Sequence, residues 1–285
     1  MYDPWRWFDR YGVSVAAPVE RAVAWMVDHF GHIFDAVRWP VEQVLDAVEG
    51  LLLALPWPLV VIALALIALR AAGPRVAAFS ASALALIGFL GYWPEAMTTL
   101  SMILAAVAFC VIVGIPLGIA AGLSDRLDGA LRPVLDAMQT IHPFVYLVPV
   151  VMFFGIGKVP GTISTIVFAL PPIVRLTNLG IRQVPPELVE AGMAFGTSRL
   201  QLLRMVQLPL AWQAILAGLN QTLMLALSMV VIVALIAGGG LGGEIFRSVG
   251  RLEVGRAAEA GLAVLLLAIV LDRISQVGRQ DRPTS

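Results

Sequence analysis

The chain contains a single lysine, Lys158, and its neighbours decide whether it could bind a nucleotide phosphate. A phosphate-binding loop of the Walker type needs a glycine, four further residues and then Gly-Lys-Ser/Thr, so that backbone amides and the lysine surround the phosphates. Lys158 does follow Gly157, but Met152 occupies the position of the first glycine and Val159 that of the serine or threonine. We therefore expect no catalytic residue for ATP hydrolysis in this chain.

Residues that commonly bind metals are scarce. His29 and His32 lie three residues apart, which on a helix would place two imidazoles on one face. A protein zinc site needs at least three protein ligands, so the favoured interpretation of this pair is a packing or interfacial role. Cys110 is the only cysteine, which excludes a disulfide within the chain. We expect no metal site.

The composition indicates an integral membrane protein. Hydrophobic residues make up 59% of the 285 residues and charged residues 13%, whereas soluble domains contain roughly 45–50% apolar and about 25% charged residues. The formal net charge is zero, so no basic face is expected to neutralise the phosphates of a nucleic acid. The apolar runs contain almost no acidic residues, which argues against a membrane enzyme with carboxylates at membrane depth.

Long apolar runs predict an all-α bundle of about seven membrane-spanning helices, with six or eight as alternatives. The predicted spans are 51–69, 76–92, 97–121, 135–154, 161–176, 215–237 and 257–271. Residues 1–50 precede them as an amphipathic segment, with apolar residues at helical spacing from Val19 to Val48 and an expected break near Trp39-Pro40. This segment is expected outside the membrane, in its interface or packed on its own bundle.

The placement of arginine predicts the orientation. With a cytoplasmic C-terminus, the arginine-containing loops 70–75, 124–133 and 177–209 fall inside, as the positive-inside rule requires. The stretch 238–256 then falls outside although it carries three arginines, which weakens the bias. The predicted organisation is two N-terminal spans in 51–95, a transmembrane domain in 96–273 and a cytoplasmic tail in 274–285.

Glycines and prolines within the spans indicate how the helices pack. Gly114, Gly118 and Gly122 repeat every four residues, a spacing that lets two helix backbones approach closely in lipid. Prolines lie in or beside several spans, at positions 116, 143, 149, 171 and 172. Helices broken at membrane depth are tolerated where protein or a water-filled cavity meets the freed carbonyl groups, so we expect broken helices beside a transport path.

Polar residues in or near the spans are candidates for that path, because polar groups at membrane depth are costly and often functional. Hydrogen bonds between neighbouring helices would explain them equally well. The candidates are Gln139, His142, Tyr146, Asn220, Gln221 and Ser228.

A regular hydrophilic loop, residues 184–209, separates two spans and predicts a helix–turn–helix. Pro186 suits a first helical turn, and Gly196 can end that helix in a left-handed conformation. Thr197 or Ser198 can then cap a second helix, which is expected to end at Leu208, before Pro209. Each helix has an apolar face that suits docking into a groove on another protein: Leu188, Ala191 and Phe195 on the first, and Leu200, Leu203 and Val206 on the second.

Residues of this loop resemble the EAA loop of bacterial ABC importer permeases. The family pattern is Glu-Ala-Ala, three residues, Gly, nine residues, Ile, any residue and Leu-Pro. The chain has Glu190-Ala191-Gly192, then Gly196, then Val206-Gln207-Leu208-Pro209, so the spacing fits throughout. Gly192 and Val206 depart conservatively from alanine and isoleucine. The stretches 136–149, 153–161, 171–185 and 220–231 are similar to the glycine betaine/proline betaine branch.

This resemblance implies a multi-pass permease subunit of an ATP-binding cassette importer in the bacterial inner membrane. The implied substrate is glycine betaine, proline betaine or a related osmolyte such as choline, carnitine, ectoine or proline. The implied partners, besides the lipid bilayer, are two copies of a cytoplasmic ATP-binding subunit, an extracytoplasmic substrate-binding protein and a second copy of this chain, with no nucleic acid. No cofactor is expected on this chain, since ATP and Mg would bind the partner ATPase.

The same resemblance implies which residues couple the permease to the ATPase: Glu190, Ala191, Gly192, Gly196, Leu208 and Pro209. A membrane enzyme and an assembly factor without transport are the alternative functions. An assembly factor would need neither broken helices nor a docking loop.

Overall fold

The structure, a computed structural model, describes residues 16–233 and 239–275. Every regular element in these ranges is helical, which confirms the predicted all-α class. The helices are α1 Ala16–Ala54, α2 Trp57–Ala72, α3 Pro74–Phe89, α4 Trp93–Leu123, α5 Asp125–Thr140, α6 Pro143–Phe154, α7 Lys158–Arg182, α8 Pro186–Ala194, α9 Arg199–Leu202, α10 Leu208–Val233, α11 Gly240–Gly250 and α12 Val254–Ser275, with a π-helical turn, Leu203–Gln207, between α9 and α10.

Several helices are long and apolar enough to cross a membrane. By length and composition these are α4, α7, the continuous helix Arg199–Met229 and α12. Two bent pairs qualify if each pair is one span: α1 with α2, bent by 109°, and α5 with α6, bent by 97°. α3 is a shorter apolar helix. The predicted apolar runs correspond to these elements, and the number of crossings stays a prediction.

Two predicted boundaries in the N-terminal part are wrong. α1 continues through Pro40 without a break, and burial of Val41 and Leu45 against the bundle offsets the lost helical hydrogen bond. The chain bends instead at Pro56, where Pro56 and Pro58 together remove two nearby backbone donors. The first predicted span, 51–69, therefore begins only with α2, and residues 51–54 belong to α1.

The chain breaks between α5 and α6, within the predicted span 135–154 and at a proline where a broken helix was expected. The two helices together still qualify as one bent span. Pro143 begins α6, and a residue that precedes proline is restricted to extended conformations. His142 accordingly has a ψ angle of 136°, and Ile141 before it is extended as well, with a ψ angle of 125°. The other prolines expected to break helices, Pro116, Pro149, Pro171 and Pro172, lie inside continuous helices.

The glycine repeat of α4 brings α4 and α7 into close contact, as predicted. A Cβ atom on Gly118 would lie 2.5 Å from Cβ of Thr177 and 2.7 Å from the carbonyl oxygen of Val174. A Cβ atom on Gly122 would lie 2.8 Å from Cβ of Ile181. Real Cβ atoms do not approach this closely, so this seam excludes larger side chains.

An adjacent face of α7 packs equally closely on α10. A Cβ atom on Gly180 would lie 2.8 Å from Cβ of Ala214, and one on Gly218 would lie 3.1 Å from Cα of Ile173. α7 is therefore held between α4 and α10 at distances that only small residues allow. These three helices form the centre of the described bundle, and Ile173 and Val174 lie buried within it.

The bundle has two ends. We call one the Lys158 end; it contains the end of α1 and the beginnings of α4, α7, α11 and α12. We call the other the Arg182 end; it contains the end of α7, the corner between α4 and α5, and α8. The predicted orientation places the Lys158 end outside and the Arg182 end in the cytoplasm.

Candidate coupling segment and translocation surface

The loop 184–209 forms the predicted helix–turn–helix. Gly196 follows the end of α8 with φ +75°, a conformation that glycine adopts without steric cost. Ser198 caps α9 with a reciprocal pair of hydrogen bonds: its backbone N–H donates to Oε1 of Gln201 (2.8 Å), and its hydroxyl accepts from the backbone N–H of Gln201 (3.3 Å). The side chain of Thr197 donates to the carbonyl oxygen of Gly192 (2.8 Å). The turn between the two helices is thus held by its own residues.

Gly192 has a packing role in this segment. A Cβ atom at this position would lie 2.6 Å from Cδ1 of Leu202. Leu202 is buried, with 7% of its surface exposed, and its side chain packs against Gly192 of α8. An alanine at 192 would therefore push away the end of the Leu202 side chain.

The segment exposes large apolar side chains. Among the predicted docking residues of α8, Leu188, Ala191 and Phe195 are all exposed, Phe195 to 89%. On the second helix Leu200 is exposed, whereas Leu203 and Val206 are half-buried. Met193 and Met205 extend the exposed apolar surface. Since Glu190 is also exposed beside it, this is a surface suited to a partner protein.

The prediction that the second helix ends before Pro209 is wrong. The chain passes from α9 through the π-helical turn directly into α10, in which Leu208 is half-buried and Pro209 is exposed. In the π turn the N–H of Leu208 donates to the carbonyl of Leu203, five residues back. A wider turn accommodates a proline ring that would otherwise clash with the preceding helical turn. The loop 184–209, which we call the coupling segment, is therefore continuous with a core helix.

Three predicted path residues lie on α10. Gln221 and Ser228 are two helical turns apart and exposed, and Ser228 donates to the carbonyl oxygen of Met224 (3.0 Å). Asn220 is half-buried, and its Oδ1 has no hydrogen-bond partner among the described residues. An exposed amide is costly against lipid. This face of α10 is therefore suited to contact protein or water.

The other predicted path residues lie at the break between α5 and α6. Gln139 is half-buried near the end of α5, and His142 is exposed, its Nδ1 accepting from the backbone N–H of Phe144 (3.4 Å). Tyr146 belongs to α6, but its side chain lies outside the described part of the structure. Within the described part, no hydrogen bond joins this group to the group on α10. The structure thus places the six candidates in two groups, one around the break between α5 and α6 and one on α10.

At the Arg182 end lies an ionic network whose residues were not predicted as a site from the sequence. The buried carboxylate of Asp128 accepts from Arg132 and from Asn178 (both 2.7 Å), and Arg182 donates to Asp125 (2.6 Å). The network joins the α4–α5 corner to the end of α7, four residues before α8 begins. The spacing of Asp128 and Arg132 could have indicated their pairing. The contacts to Asn178 and Arg182 span 50 and 57 residues and left no local signal.

Lys158, the only lysine, belongs to a second polar cluster that was not predicted from the sequence. Lys158 Nζ lies 2.5 Å from Oε1 of Glu49, and that oxygen also accepts from the hydroxyl of Thr98 (2.7 Å). The Glu49 side chain is 11% exposed and that of Lys158 39%. The three residues belong to α1, α7 and α4. This ion pair therefore fastens the amphipathic helix α1 to the bundle.

We expect Lys158→Met to weaken the attachment of α1. Loss of a hydrogen bond to a charged group costs about 1.5–3 kcal/mol, and the carboxylate of Glu49 would remain nearly buried without its cation. The melting temperature of the purified protein should fall, and protease should cleave α1 more readily. The double variant Glu49→Gln/Lys158→Met should recover part of the loss, because an amide can still accept from Thr98 without an unpaired charge. Equal melting temperatures for Lys158→Met and the wild type would contradict a stabilising role.

Further contacts at the Lys158 end position α11 and α12. The hydroxyl of Thr99 donates to the carbonyl of Glu95 (2.8 Å) and accepts from the N–H of Leu241 (2.9 Å). The hydroxyl of Tyr92 lies 3.4 Å from Oε2 of Glu259. The beginnings of α11 and α12 are thus attached to the beginning of α4.

Solved structures share this arrangement of helices. Two crystal forms of the MetNI methionine ABC transporter in inward-facing conformations match with TM-scores of 0.54 and 0.55, at 22% and 23% sequence identity. Each match covers 62% of this chain, and 91% and 88% of the respective solved chain. At this identity the likeness shows the fold alone.

Closer similarity is found in sequence. The chain is 51% identical over 265 residues to the glycine betaine/proline betaine transport system permease protein ProW of Escherichia coli. The matched region covers 93% of this chain and 75% of that protein. It is 42% identical over 264 residues to the glycine betaine transport system permease protein OpuAB of Bacillus subtilis, covering 93% and 94%. It is 38% identical to the trimethylamine N-oxide transport system permease protein TmoV of Ruegeria pomeroyi, of which it covers 37%.

Residues 114–278 match the family described as binding-protein-dependent transport system inner membrane component. This range includes the close seam between α4 and α7, the break before Pro143, the coupling segment and most of α12. The chain belongs to this family of membrane transport permeases.

Proposed function

We propose that this permease imports glycine betaine, proline betaine or a related osmolyte such as choline, carnitine, ectoine, proline or trimethylamine N-oxide. The observation that carries the proposal is the 51% identity to a glycine betaine/proline betaine permease over 93% of the chain. The chain would form the translocation path as a multi-pass protein of the bacterial inner membrane. It would bind no cofactor of its own, with ATP and Mg on a separate subunit.

The coupling segment supports a cytoplasmic ATPase, in two copies, as the partner at the Arg182 end. Phe195, Leu188 and Met193 present an apolar surface that a groove on the ATPase would cover, beside the carboxylate of Glu190. Motion of α8 would reach the core by two routes. One is the continuous backbone through the π turn into α10, and the other is the network of Arg182 with Asp125.

The polar face of α10 supports a second copy of the chain as a partner. Gln221 and Ser228 are exposed on this face in the single chain, and lipid is an unfavourable neighbour for an amide. A homodimer with α10 facing a central aqueous path would satisfy these groups. An extracytoplasmic substrate-binding protein would deliver the osmolyte at the Lys158 end.

The first test is affinity purification of the chain from its native membrane in mild detergent, followed by identification of the proteins retained. We expect an ATPase at about one copy per permease, and ATP-dependent uptake of radiolabelled glycine betaine by vesicles that contain the complex. Failure to retain an ATPase, even after crosslinking at the coupling segment, would count against the importer and favour an assembly factor.

The orientation has its own test. In a background in which the buried Cys110 is replaced by alanine, a cysteine at the exposed Ser198 should react with a membrane-impermeant maleimide only from the cytoplasmic side. A cysteine at the exposed Val249 of α11 is the matched control and should react only from the outside. The reverse pattern would overturn the predicted orientation while leaving the family unchanged.

A further inference from the structure

The turn between α11 and α12 carries charge that the membrane topology does not explain. Arg247, Arg251 and Arg256 lie within ten residues at the Lys158 end, the side that the predicted orientation places outside. Arginine is ordinarily enriched in cytoplasmic loops. A concentration of arginine on the outer side therefore calls for a local function.

The turn also presents an exposed apolar residue in an unusual conformation. Leu252 has φ +58° and is the only non-glycine residue with positive φ in the described ranges. Its side chain is 84% exposed, and the neighbouring Val254 and Val249 are 77% and 57% exposed. Backbone hydrogen bonds fix the turn, from Glu253 N–H to the carbonyl of Ser248 (2.9 Å) and from Leu252 N–H to that of Val249 (3.1 Å). The strained residue is thus held in an outward position, a pattern typical of functional sites.

The charged groups around this apolar tip are incompletely paired. Arg247 pairs with Glu244 (2.6 Å) and Arg256 with Glu253 (3.6 Å), whereas Arg251 has no ion-pair partner among the described side chains. Three guanidinium groups and two carboxylates leave a net positive charge, and all five line one cleft of about 280 Å³.

One buried polar group faces the same cleft. Ser248 is 1% exposed, and its hydroxyl has no hydrogen-bond partner among the described residues. A buried hydroxyl is normally satisfied. An acceptor that entered the cleft would therefore meet the guanidinium of Arg251 in a wall that also contains an unsatisfied hydroxyl.

We propose that the α11–α12 tip, which we define as Val249, Arg251, Leu252 and Val254, is the contact site for the extracytoplasmic substrate-binding protein. A carboxylate of that protein would bind Arg251, and an apolar patch would cover Leu252 and its two valine neighbours. An apolar centre with arginine at its rim is the usual composition of a protein interface. Because Glu244 and Glu253 already pair with Arg247 and Arg256, the cleft offers one unpaired guanidinium, which suits a single carboxylate of a protein better than a layer of anionic lipid headgroups. The inference rests on the proposed function and names the contact within it.

The tip is rigidly connected to the transport bundle. The first turn of α11 is fixed to α4 by the bond from Leu241 N–H to Thr99 (2.9 Å). A Cβ atom on Gly239 would lie 3.6 Å from Cε of Lys158, so the turn before α11 also contacts α7. Displacement of the tip by a docked protein would therefore move the outer ends of α4 and α7. These are the two helices that form the close seam at the bundle centre.

The test measures docking directly. Permease–ATPase complexes with Arg251→Glu or Leu252→Gly are reconstituted in nanodiscs, and the substrate-binding protein of the same transport system, loaded with glycine betaine, is bound to them at low and at physiological salt. Glycine suits the φ of position 252, so this variant removes the apolar side chain while the turn is retained. Arg21→Glu, on the exposed surface of α1, is the control for a change of general charge.

We expect Arg251→Glu to slow association roughly tenfold and to flatten its salt dependence, because a charge at an interface rim acts mainly on the association rate. Leu252→Gly should raise the dissociation rate, and Arg21→Glu should match the wild type. Wild-type rate constants for both tip variants, with normal docking of the wild type, would overturn this inference and leave the proposed function intact. A changed dependence on lipid composition alone, or a changed oligomeric state alone, would also overturn it. If the wild type neither docks the binding protein nor imports substrate, the proposed function fails and this inference fails with it.

Discussion

Replacing Gly118 by leucine is expected to prevent the chain from reaching its folded state. Even a single Cβ atom at this position would lie 2.5 Å from Cβ of Thr177 and 2.7 Å from the backbone oxygen of Val174. The backbone oxygen cannot move without displacing α7, and α7 is also closely packed against α10. Overpacking in a core typically costs about 1–3 kcal/mol and occasionally more, and a clash with backbone belongs at the upper end of that range.

The measurement for Gly118→Leu is the yield of monodisperse protein extracted from the membrane, together with its melting temperature. Gly261→Leu is the matched control, since it introduces the same side chain into the membrane helix α12 at a position where a Cβ atom meets nothing within 4 Å. The control should retain the yield of the wild type, whereas Gly118→Leu should lose nearly all of it. A normal yield for Gly118→Leu would mean that α4 and α7 do not pack as closely as described.

Replacing Gly196 by valine is expected to abolish uptake while the protein still inserts. At φ +75° a β-branched residue is strained, and strain of this kind costs of order 1–3 kcal/mol. The chain can avoid it only by rearranging the turn that sets α8 against α9. The apolar residues on the two sides of the turn, Phe195 and Leu200, would then no longer present one surface to the ATPase.

The measurements for Gly196→Val are the ATP hydrolysis rate of the reconstituted complex and the uptake of glycine betaine by the same vesicles. Hydrolysis should lose its stimulation by substrate, and uptake should fall to background. A bulky residue in place of Glu190 should act in the same way. Gly129→Val is the control, because Gly129 is exposed on α5 and a Cβ atom there meets nothing within 4 Å. Wild-type uptake by Gly196→Val would remove the coupling role of this segment.

Features that depend on neighbouring residues were predictable from the sequence. The spacing of Gly114, Gly118 and Gly122 predicts one helix face without side chains, and close packing follows from that face alone. The turn at Gly196 and the cap at Ser198 are equally local, because each depends on the backbone conformation of a few consecutive residues. The sequence pattern of the coupling segment was therefore recognisable without knowledge of the fold.

Proline was the least reliable local signal. Pro40, Pro116 and Pro171 lie inside continuous helices, whereas the chain breaks before Pro143. A proline removes one hydrogen bond and strains the preceding turn wherever it occurs. Whether the helix continues depends on the burial that the continued helix gains, as Val41 and Leu45 gain beyond Pro40. That gain is a property of the assembled bundle.

The all-helical class and the helix–turn–helix of residues 184–209 were predictable from the sequence alone, because hydropathy, glycine spacing and turn residues act over short distances along the chain. The permease family was indicated by the resemblance of that loop to the EAA pattern. The folded bundle was needed to show three further features: the attachment of α1 through Glu49 and Lys158, the contact of Arg182 with the α4–α5 corner, and the continuation of the coupling segment into α10. The first two features are contacts between residues of different helices. The third depends on whether packing elsewhere in the bundle offsets the local cost of a proline. Such contacts leave no periodic signal in the sequence, since their free energy arises only when the helices have come together.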